Sequence, residues 1–466
     1  MANLFPCPSC GGQLVFDSTS GQMKCTSCDN LFNPMEYTSK EIMQEDGTLN
    51  LSVFICPNCG GEITADNIDG MEFCPYCGDE IINAEHFSKE GHPDYIIPFS
   101  VSKEDCKNIY ETTTKKVKFL PDDLKGSEGL KRFVGLYTPY WLYDFDAHGD
   151  VRAKADKYYT SGSYDYHEEG EVNITVNVEK AQIPYDASQT LDDTVSKQVE
   201  PYYFDGLQDF NPNYMAGFYA ENSTVDENLY VNNAKGDLAN KVIASVTEQE
   251  LQGFKMTKDA RLKNDVAQVE RYKGVFGAYL PIWFLTVKKN DRVAYTMING
   301  QTGKMYADFP VDLGKYFKSS LVASAICIVA FLIMFGSIPI KNTLFICFFA
   351  SLIMTIIAFN QSNKIYRKEN HLDDVGYWND REESMKERPK EKRVLKGVLF
   401  SLIGGVVSIL IAILDPAQNI FYYGGMIVSL ISLLLGVIST ASEYNRYATN
   451  PVPQYAKTGG GLDRAK

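Results

Sequence analysis

Basic side chains are scarce at the start of this 466-residue chain. Residues 1–93 contain three lysines (Lys24, Lys40 and Lys89) against fourteen Asp and Glu, a net charge of −11. Residues 1–318 together carry a net charge of −18, and the remainder carries +4. Affinity for DNA or RNA rests mainly on Lys and Arg that neutralise phosphates, so this composition argues against nucleic-acid binding.

Catalytic signatures are also missing from the sequence. HExxH, GxSxG and GxxxxGK[ST] do not occur, and the Gln301–Lys304 segment lies in an expected hairpin turn rather than a phosphate loop. None of the five histidines has an evident Ser or Cys partner. We therefore expect no enzymatic activity, although an unusual site in the middle of the chain stays open as an alternative.

What the sequence does contain is two copies of one cysteine pattern. Each copy reads C-x2-C, fourteen residues, then C-x2-C, and the eight residues are Cys7, Cys10, Cys25, Cys28, Cys56, Cys59, Cys74 and Cys77. Four thiolates match the tetrahedral preference of Zn²⁺, and the intervening segments suit hairpins that turn near Gly21 and Gly70. The spacing predicts two zinc ribbons (1–37 and 52–88), each closed around one structural Zn²⁺. A redox-active CxxC pair or an iron–sulfur cluster is the alternative.

The last third of the chain is strongly apolar. Four uncharged runs are long enough for the hydrocarbon layer: Ser319–Ile340, Thr343–Phe359, Val394–Leu414 and Phe421–Ala441. They predict two transmembrane hairpins (319–360 and 394–441) joined by a basic linker (361–393) and followed by a tail (442–466). Small residues in the last two runs suit close helix packing: Ser401, Gly405, Ser408, Gly425, Ser429, Ser432 and Gly436.

The expected orientation follows from the positive-inside rule. Residues 360–394 carry nine Lys and Arg, whereas the two hairpin turns carry one and none. We therefore expect the linker and both termini in the cytoplasm, in agreement with reduced cysteines and with a start that lacks a signal peptide. The runs contain no Asp, Glu, Lys, Arg or His, which disfavours a transporter. The linker either contacts anionic lipid or is a soluble loop.

The middle of the chain (94–312) predicts a mixed α+β domain with two related halves. Gly135–Tyr143 and Gly277–Leu285 share the pattern G-x-Y-x-P-x-W. We expect them to be paired core strands, with Pro139 and Pro281 at strand starts or edges; an aromatic ligand groove is the alternative. Other expected elements are a capped helix from Ser102 to about Val117, a helix over 226–246, a strand over 170–178 and a hairpin at Asn299–Gly300.

Four polar residues alternate after the first copy: Asp144, Asp146, His148 and Asp150. Alternate positions of a strand lie on one face. We interpret this face as the solvated side of an edge strand, because Tyr143, Phe145, Ala147 and Val151 between them are apolar. A divalent-metal or acid–base site at Asp144, Asp146 and His148 is the alternative.

Several segments carry a family resemblance: YIIPFSVSKEDC, the twin YxPxW motifs, FNPNYMAGFYAE and NGQTGKMYADFPV. Over residues 1–320 the chain resembles bacterial membrane proteins with transcription factor IIB-type zinc ribbons, some of which are labelled primosomal replication-restart helicases. The ATP-binding motif that a helicase needs is absent from this sequence, so the helicase label finds no support here. Some relatives resemble membrane partners that recruit phage-shock-protein-A-type envelope-stress proteins. The resemblance implies a membrane-anchored zinc-binding adaptor. A membrane-tethered nucleic-acid or transcription protein, and an enzyme or transporter, are the alternatives.

Overall fold

The computed structural model describes residues 5–37, 49–56, 58–59, 61–65, 73–79, 86–90, 92–125, 132–188, 193–289, 292–335, 340–370 and 392–451. The strands are β1 (Leu14–Asp17), β2 (Gln22–Cys25), β3 (Leu31–Phe32), β4 (Leu49–Ile55), β5 (Glu62–Ala65), β6 (His86–Glu90), β7 (Tyr95–Ile96), β8 (Val134–Ser161), β9 (Tyr164–Asp186), β10 (Gln208–Asp209), β11 (Tyr219–Ala220), β12 (Glu250–Leu251), β13 (Phe254–Thr257), β14 (Glu270–Lys289), β15 (Arg292–Asn299), β16 (Met305–Ala307) and β17 (Asn450–Pro451). The helices are α1 (Lys103–Thr114), α2 (Asp193–Val199), α3 (Val231–Thr247), α4 (Ala260–Val269), α5 (Leu313–Phe335), α6 (Ile340–Asn370), α7 (Lys396–Leu414) and α8 (Asn419–Tyr447).

Two sheets organise the part before the membrane helices. Strands β1, β2 and β3 form a small separate sheet around the first cysteine cluster. The other fourteen strands form one mixed sheet whose main path runs β10-β7-β14-β8-β11-β5-β4-β6. The second cysteine module contributes β4, β5 and β6 to that sheet. The second cysteine module is therefore structurally part of the middle domain and does not form a sheet of its own.

The two G-x-Y-x-P-x-W motifs pair with each other at the centre of the large sheet. In the antiparallel register of β8 and β14, Gly135 lies opposite Trp283 and Trp141 lies opposite Gly277. A Cβ added to Gly135 would lie 2.5 Å from the Phe218 ring and 3.1 Å from that of Trp283. The glycines thus make room for large rings, which explains the motif. The predicted pairing of the two copies is confirmed.

The prediction that Pro139 and Pro281 stand at strand starts or edges is wrong. Both lie inside long central strands. On the outer side of β8 the neighbour changes from β11, which ends its pairing at Tyr137, to β9, which begins at Tyr140. On β14 the change from β7 to β15 falls at the same place, between residues 279 and 282. Each proline therefore sits in a gap between neighbours, where no ladder bond needs its missing N–H.

The two halves repeat the same order of elements, and each half contributes strands that pair with the other. Each half contains a short strand, a helix, a long motif strand and a return strand in that order: β7, α1, β8 and β9, then β11, α3, β14 and β15. In the second half β12, β13 and α4 are inserted before β14. The short strand of each half pairs with the long strand of the other. The indole N–H groups do likewise, because Trp141 donates to the Val225 carbonyl and Trp283 to the Val101 carbonyl, each at 2.9 Å. The halves therefore interlock into one core.

Most other predicted elements are present with shifted ends. Helix α1 has the expected Ser102–Asp105 capping box but ends at Thr114, not Val117. Helix α3 begins at Val231 rather than near 226. The predicted strand 170–178 is the middle of the much longer β9. The hairpin at Asn299–Gly300 joins β15 to β16 as expected.

Among the described residues, three helices, not the four predicted, are long and apolar enough to cross a membrane: Asn342–Glu369, Lys396–Leu414 and Asn419–Tyr447. The first predicted span falls on α5 and on residues 336–339, which lie outside the described ranges. The uncharged run that begins at Ser319 is therefore described only as far as Phe335.

The expected small-residue packing of the last two helices is confirmed. Ser429 on α8 donates to the Gly404 carbonyl on α7 at 3.0 Å, and its hydroxyl lies 2.6 Å from that of Ser408. Ser401, Ser408 and Ser429 are fully buried between helices. Small side chains thus allow close backbone approach and satisfy hydroxyls away from lipid.

Gly135→Ala tests the central pairing. The added methyl overlaps the Phe218 ring in a buried site, so we expect a loss of about 1–3 kcal/mol in unfolding free energy. Gly236→Ala is the matched control. Gly236 is an exposed residue inside α3 with nothing near its added Cβ, and it should gain ~0.5–1 kcal/mol. Denaturant unfolding of the detergent-solubilised protein measures both, and equal effects at the two positions would contradict the packing account.

Candidate metal centres

The first cluster lies at one end of the β1–β3 sheet. Its four thiol sulfurs belong to Cys7, Cys10, Cys25 and Cys28 and lie within 4.8 Å of one another. Measured pairs are 3.7 Å for Cys7–Cys28 and 3.5 Å for Cys10–Cys25. Strands β1 and β2 form the predicted hairpin, which turns at Gly21 with φ 67°. These separations suit four sulfurs around one metal ion.

The second cluster repeats this geometry with different surroundings. Cys56, Cys59, Cys74 and Cys77 bring their sulfurs together, at 3.6 Å for Cys56–Cys77 and 3.8 Å for Cys59–Cys74. All four residues are buried, whereas Cys10 and Cys28 of the first cluster are exposed. The predicted turn at Gly70 lies outside the described residues. Both clusters are positioned to bind a metal ion.

Turns after the second cysteine of a pair follow the expected chemistry. Gly11 and Gly78 adopt positive φ angles of 73° and 71°. Asp29 does the same at 56° after Cys28, where glycine is absent. After the Gly11 turn, Gly12 donates its N–H to the Cys10 sulfur at 3.4 Å, and Ser27, between the two ligands of its pair, donates to the Cys25 sulfur at the same distance. Such donors stabilise thiolates.

The pKa of Cys25 reflects these donors. Burial disfavours its thiolate, but backbone N–H groups of Ser27 and Cys28 and the thiols of Cys10 and Cys28 lower its pKa to about 6. The thiolate is the form that binds a metal, so the local backbone prepares this residue as a ligand.

The second centre is built into the large sheet. Thr64 on β5 donates its hydroxyl to the Ala220 carbonyl on β11 at 2.9 Å. Tyr76, between the last two ligands, is almost completely buried and meets the Phe284 ring edge-on at 6.1 Å. Gly78 lies against the backbone of Thr286. Removing this module would uncover the middle of the domain.

The first centre is docked on the domain through one face. Phe16 donates its N–H to the Ala216 carbonyl at 2.8 Å and packs edge-on against Tyr214. The buried amide of Asn213 donates to the carbonyls of Pro34 and Tyr37, both at 2.7 Å. The 211–217 segment, part of the FNPNYMAGFYAE stretch singled out in the sequence, is thus the seat of the first ribbon.

The Asp144, Asp146, His148 and Asp150 face does not gather into a metal group among the described residues. Asp146 pairs with Lys273 at 2.7 Å, and the Nδ1 atom of His148 lies 2.5 Å from the Asn177 amide oxygen. Burial raises the pKa of Asp144. The expectation of an edge strand is wrong at Asp144 and Asp146, where β8 lies between β14 and β9, whereas at His148 and Asp150 β8 pairs only with β9 among the described strands. The apolar alternate positions are buried, as the alternation predicts.

The aromatic end of the β8–β9 hairpin was not predicted from the sequence. From Lys157 to Ser161, β8 pairs only with β9 among the described strands, so this end projects from the sheet. Tyr158 and Tyr164 are 73% and 72% exposed. Tyr159 stacks on Tyr166, and Tyr158 on His167, on opposite faces. The polar and aromatic residues at this end of the hairpin follow no periodic pattern in the sequence that would distinguish exposed from buried rings.

Asp156, His167 and Glu169 form a third group of potential ligands near this hairpin end. His167 Nε2 lies 3.0 Å from an Asp156 oxygen. The group is partly exposed, and acidic surface groups are common without an ion. We assign it no metal.

Comparisons with known proteins identify one informative relative. The chain is 32% identical over 316 residues to the "Uncharacterized protein YdjG" of Bacillus subtilis (strain 168), which covers 67% of this chain and 91% of that protein. No family model matches the chain. No solved structure matches it either.

Metal content tests both clusters. We expect two equivalents of metal per purified chain, because each set of four thiolates closes its own site. Cys10→Ser and Cys59→Ser should each lose one equivalent, or more if the site supports its neighbours. Cys106→Ser is the control, since Cys106 is a buried single cysteine outside both clusters. Elemental analysis by mass spectrometry gives the count, and a chain that holds fewer than two equivalents from the start would contradict the assignment.

Proposed function

The chain belongs to the same family as the Bacillus subtilis protein YdjG, and we propose that it is a membrane-anchored cytoplasmic adaptor with one structural Zn²⁺ in each cysteine cluster. The observation that carries the proposal is the link between three parts of the chain. The large sheet carries the second metal centre, the ends of the membrane helices and the exposed aromatic hairpin, and the first metal centre docks on the same domain. The proposal assigns no catalytic role.

Four spans are part of the proposal. Strand β17, which directly follows α8, pairs with β15 of the large sheet. At the end of α6, Glu369 pairs with Arg292 of the sheet at 2.9 Å and with Arg446 of α8 at 2.5 Å. The ends of α6 and α8 therefore lie at the sheet domain.

The start of α5 lies there too, because Lys315 donates to the Leu120 carbonyl at 2.9 Å. A chain that leaves the sheet along α5 and returns along α6 must cross the membrane twice. Exposed apolar residues on α5, including Leu321, Val322 and Ile326, suit contact with lipid. This parity supports α5 as the fourth span.

The cytoplasmic side is proposed from charge and chemistry. The nine basic residues of 360–394 belong to the last turns of α6 and to the sequence that joins α6 to α7. The end of α6 lies at the sheet domain, and the positive-inside rule assigns a side with such a basic connection to the cytoplasm. Eight thiols held for metal binding also suit a reducing compartment.

A protein partner suits the projecting hairpin. Exposed tyrosines combine apolar area with a polar tip and are enriched at protein interfaces. The acidic net charge of residues 1–318 opposes a nucleic acid at the same surface. From the family resemblance, we propose a phage-shock-protein-A-type partner held at the inner membrane face.

Topology is tested by cysteine labelling of intact cells. Asn342→Cys, in the first turn of α6, and Gln418→Cys, directly before α8, should react with a membrane-impermeant maleimide from outside. Asn379→Cys in the basic linker should react only after the cells are permeabilised. The unsubstituted chain supplies the background of native cysteines. Labelling of position 342 only from inside would remove α5 as a span.

Partner recovery tests the adaptor. Affinity purification from solubilised membranes should recover defined proteins. The Tyr158→Ala/Tyr164→Ala pair should reduce their recovery on the order of tenfold, as loss of interfacial anchors does. Tyr203→Ala is the matched control, because Tyr203 is 62% exposed but lies away from the hairpin. Equal recovery with all three chains would remove the hairpin from the interface, and recovery of no protein would contradict the adaptor.

A further inference from the structure

The two metal centres share their ligand chemistry and differ in their surroundings. Both have four sulfurs with comparable separations, 3.5–3.7 Å in the measured pairs of the first and 3.6–3.8 Å in those of the second. Two of the first four ligands are exposed, whereas the second four are all buried. Any difference in metal exchange must therefore arise from the protein around the sulfurs.

Access to the first centre needs little movement. Cys10 and Cys28 stand on the solvent side of the cluster. A chelator or a competing thiolate can reach a metal there by replacing one ligand at a time. At the second centre the same attack first requires that the module, with Tyr76 and its contact to Phe284, leave the large sheet.

Loss of metal also has different structural consequences at the two centres. The first ribbon forms its own three-stranded sheet and contacts the domain through the 211–217 seat. A module this small cannot bury a core of its own, so metal binding provides much of its folding free energy. Without metal it can unfold locally while the strands of the large sheet keep their partners.

We infer that the first centre is an exchangeable metal site, and that release of its metal detaches the first ribbon from the 211–217 seat while the second centre keeps its metal. The inference rests on the proposed occupation of both clusters by Zn²⁺. It adds that the two ions have different roles, the second maintaining the sheet and the first responding to metal availability.

Detachment uncovers a defined surface. Tyr214 is 5% exposed and packs edge-on against Phe16 of the docked ribbon, and Gly217 lies against Val15. The Asn213 amide donates to two carbonyls of the ribbon and loses both on detachment. Release of metal from the first centre would thus expose this segment to solvent.

Chelation of the full-length, zinc-loaded protein in detergent tests the inference. The readouts are zinc released into EDTA and cysteine alkylation by N-ethylmaleimide, located by peptide mass spectrometry. We expect one equivalent to leave in a first phase, on the order of tenfold or more ahead of the second. In that phase Cys7, Cys10, Cys25 and Cys28 should become alkylated. The second cluster should stay protected.

Matched variants and hydrogen exchange complete the test. Cys28→Ser should hold one equivalent, leave Cys59 and Cys74 protected and raise amide exchange in residues 5–37. Cys77→Ser, its counterpart in the second cluster, should instead raise amide exchange in β5 and β11, which pair with each other. Added zinc should restore protection in the unsubstituted chain.

Three results would overturn the inference. Release of both equivalents in one phase, or equal alkylation of the two clusters, would show that they open together and would leave the proposed zinc centres intact. Earlier loss from the second cluster would reverse the assignment. A purified chain that holds no zinc would overturn both this inference and the proposed zinc centres.

Discussion

The pairing of β8 with β14 is the constraint on which the rest of the structure depends. The glycine of each motif lies opposite the tryptophan of the other motif. This arrangement allows a single register, because a shift by one residue would turn every large ring to the other face of the sheet. Each long strand then accepts the short strand of the other half, so neither half can complete its core alone. From this register follow the positions of β11, which receives the second ribbon, and of β15, which receives the end of α8.

Much of this arrangement could be predicted from the sequence, and there is a physical reason why the remaining features could not. The cysteine spacing, the capping box, the strand alternation and the repeated motif are local patterns, and the structure contains each of them. The end of α1 and the long extent of β8 and β9 depend on contacts between distant segments. The prolines at 139 and 281 show the difference. A local rule places proline at a strand edge, whereas here a change of neighbouring strand creates a gap inside a central strand.

The candidate sites follow the same division. Ligand spacing suffices to identify the two cysteine clusters, since each closes within one short segment. Their unequal burial could not be predicted, because it depends on whether a ribbon joins the large sheet or docks on it. The tyrosines of the hairpin end were likewise not distinguished from core aromatics, since composition does not tell which end of a strand projects beyond its neighbours.

Glu369 illustrates how the membrane region and the sheet are joined. Its side chain is 5% exposed and lies between Arg292 of β15 and Arg446 of α8. A carboxylate in such a place needs both cations, because an unpaired buried charge is strongly destabilising. Glu369, Arg292 and Arg446 belong to three separate segments, so the two ion pairs can form together only when the ends of α6 and α8 both lie at the sheet. A displacement of either helix end away from the sheet would therefore separate these charges and leave the buried carboxylate without a cation, so the contact opposes such a displacement.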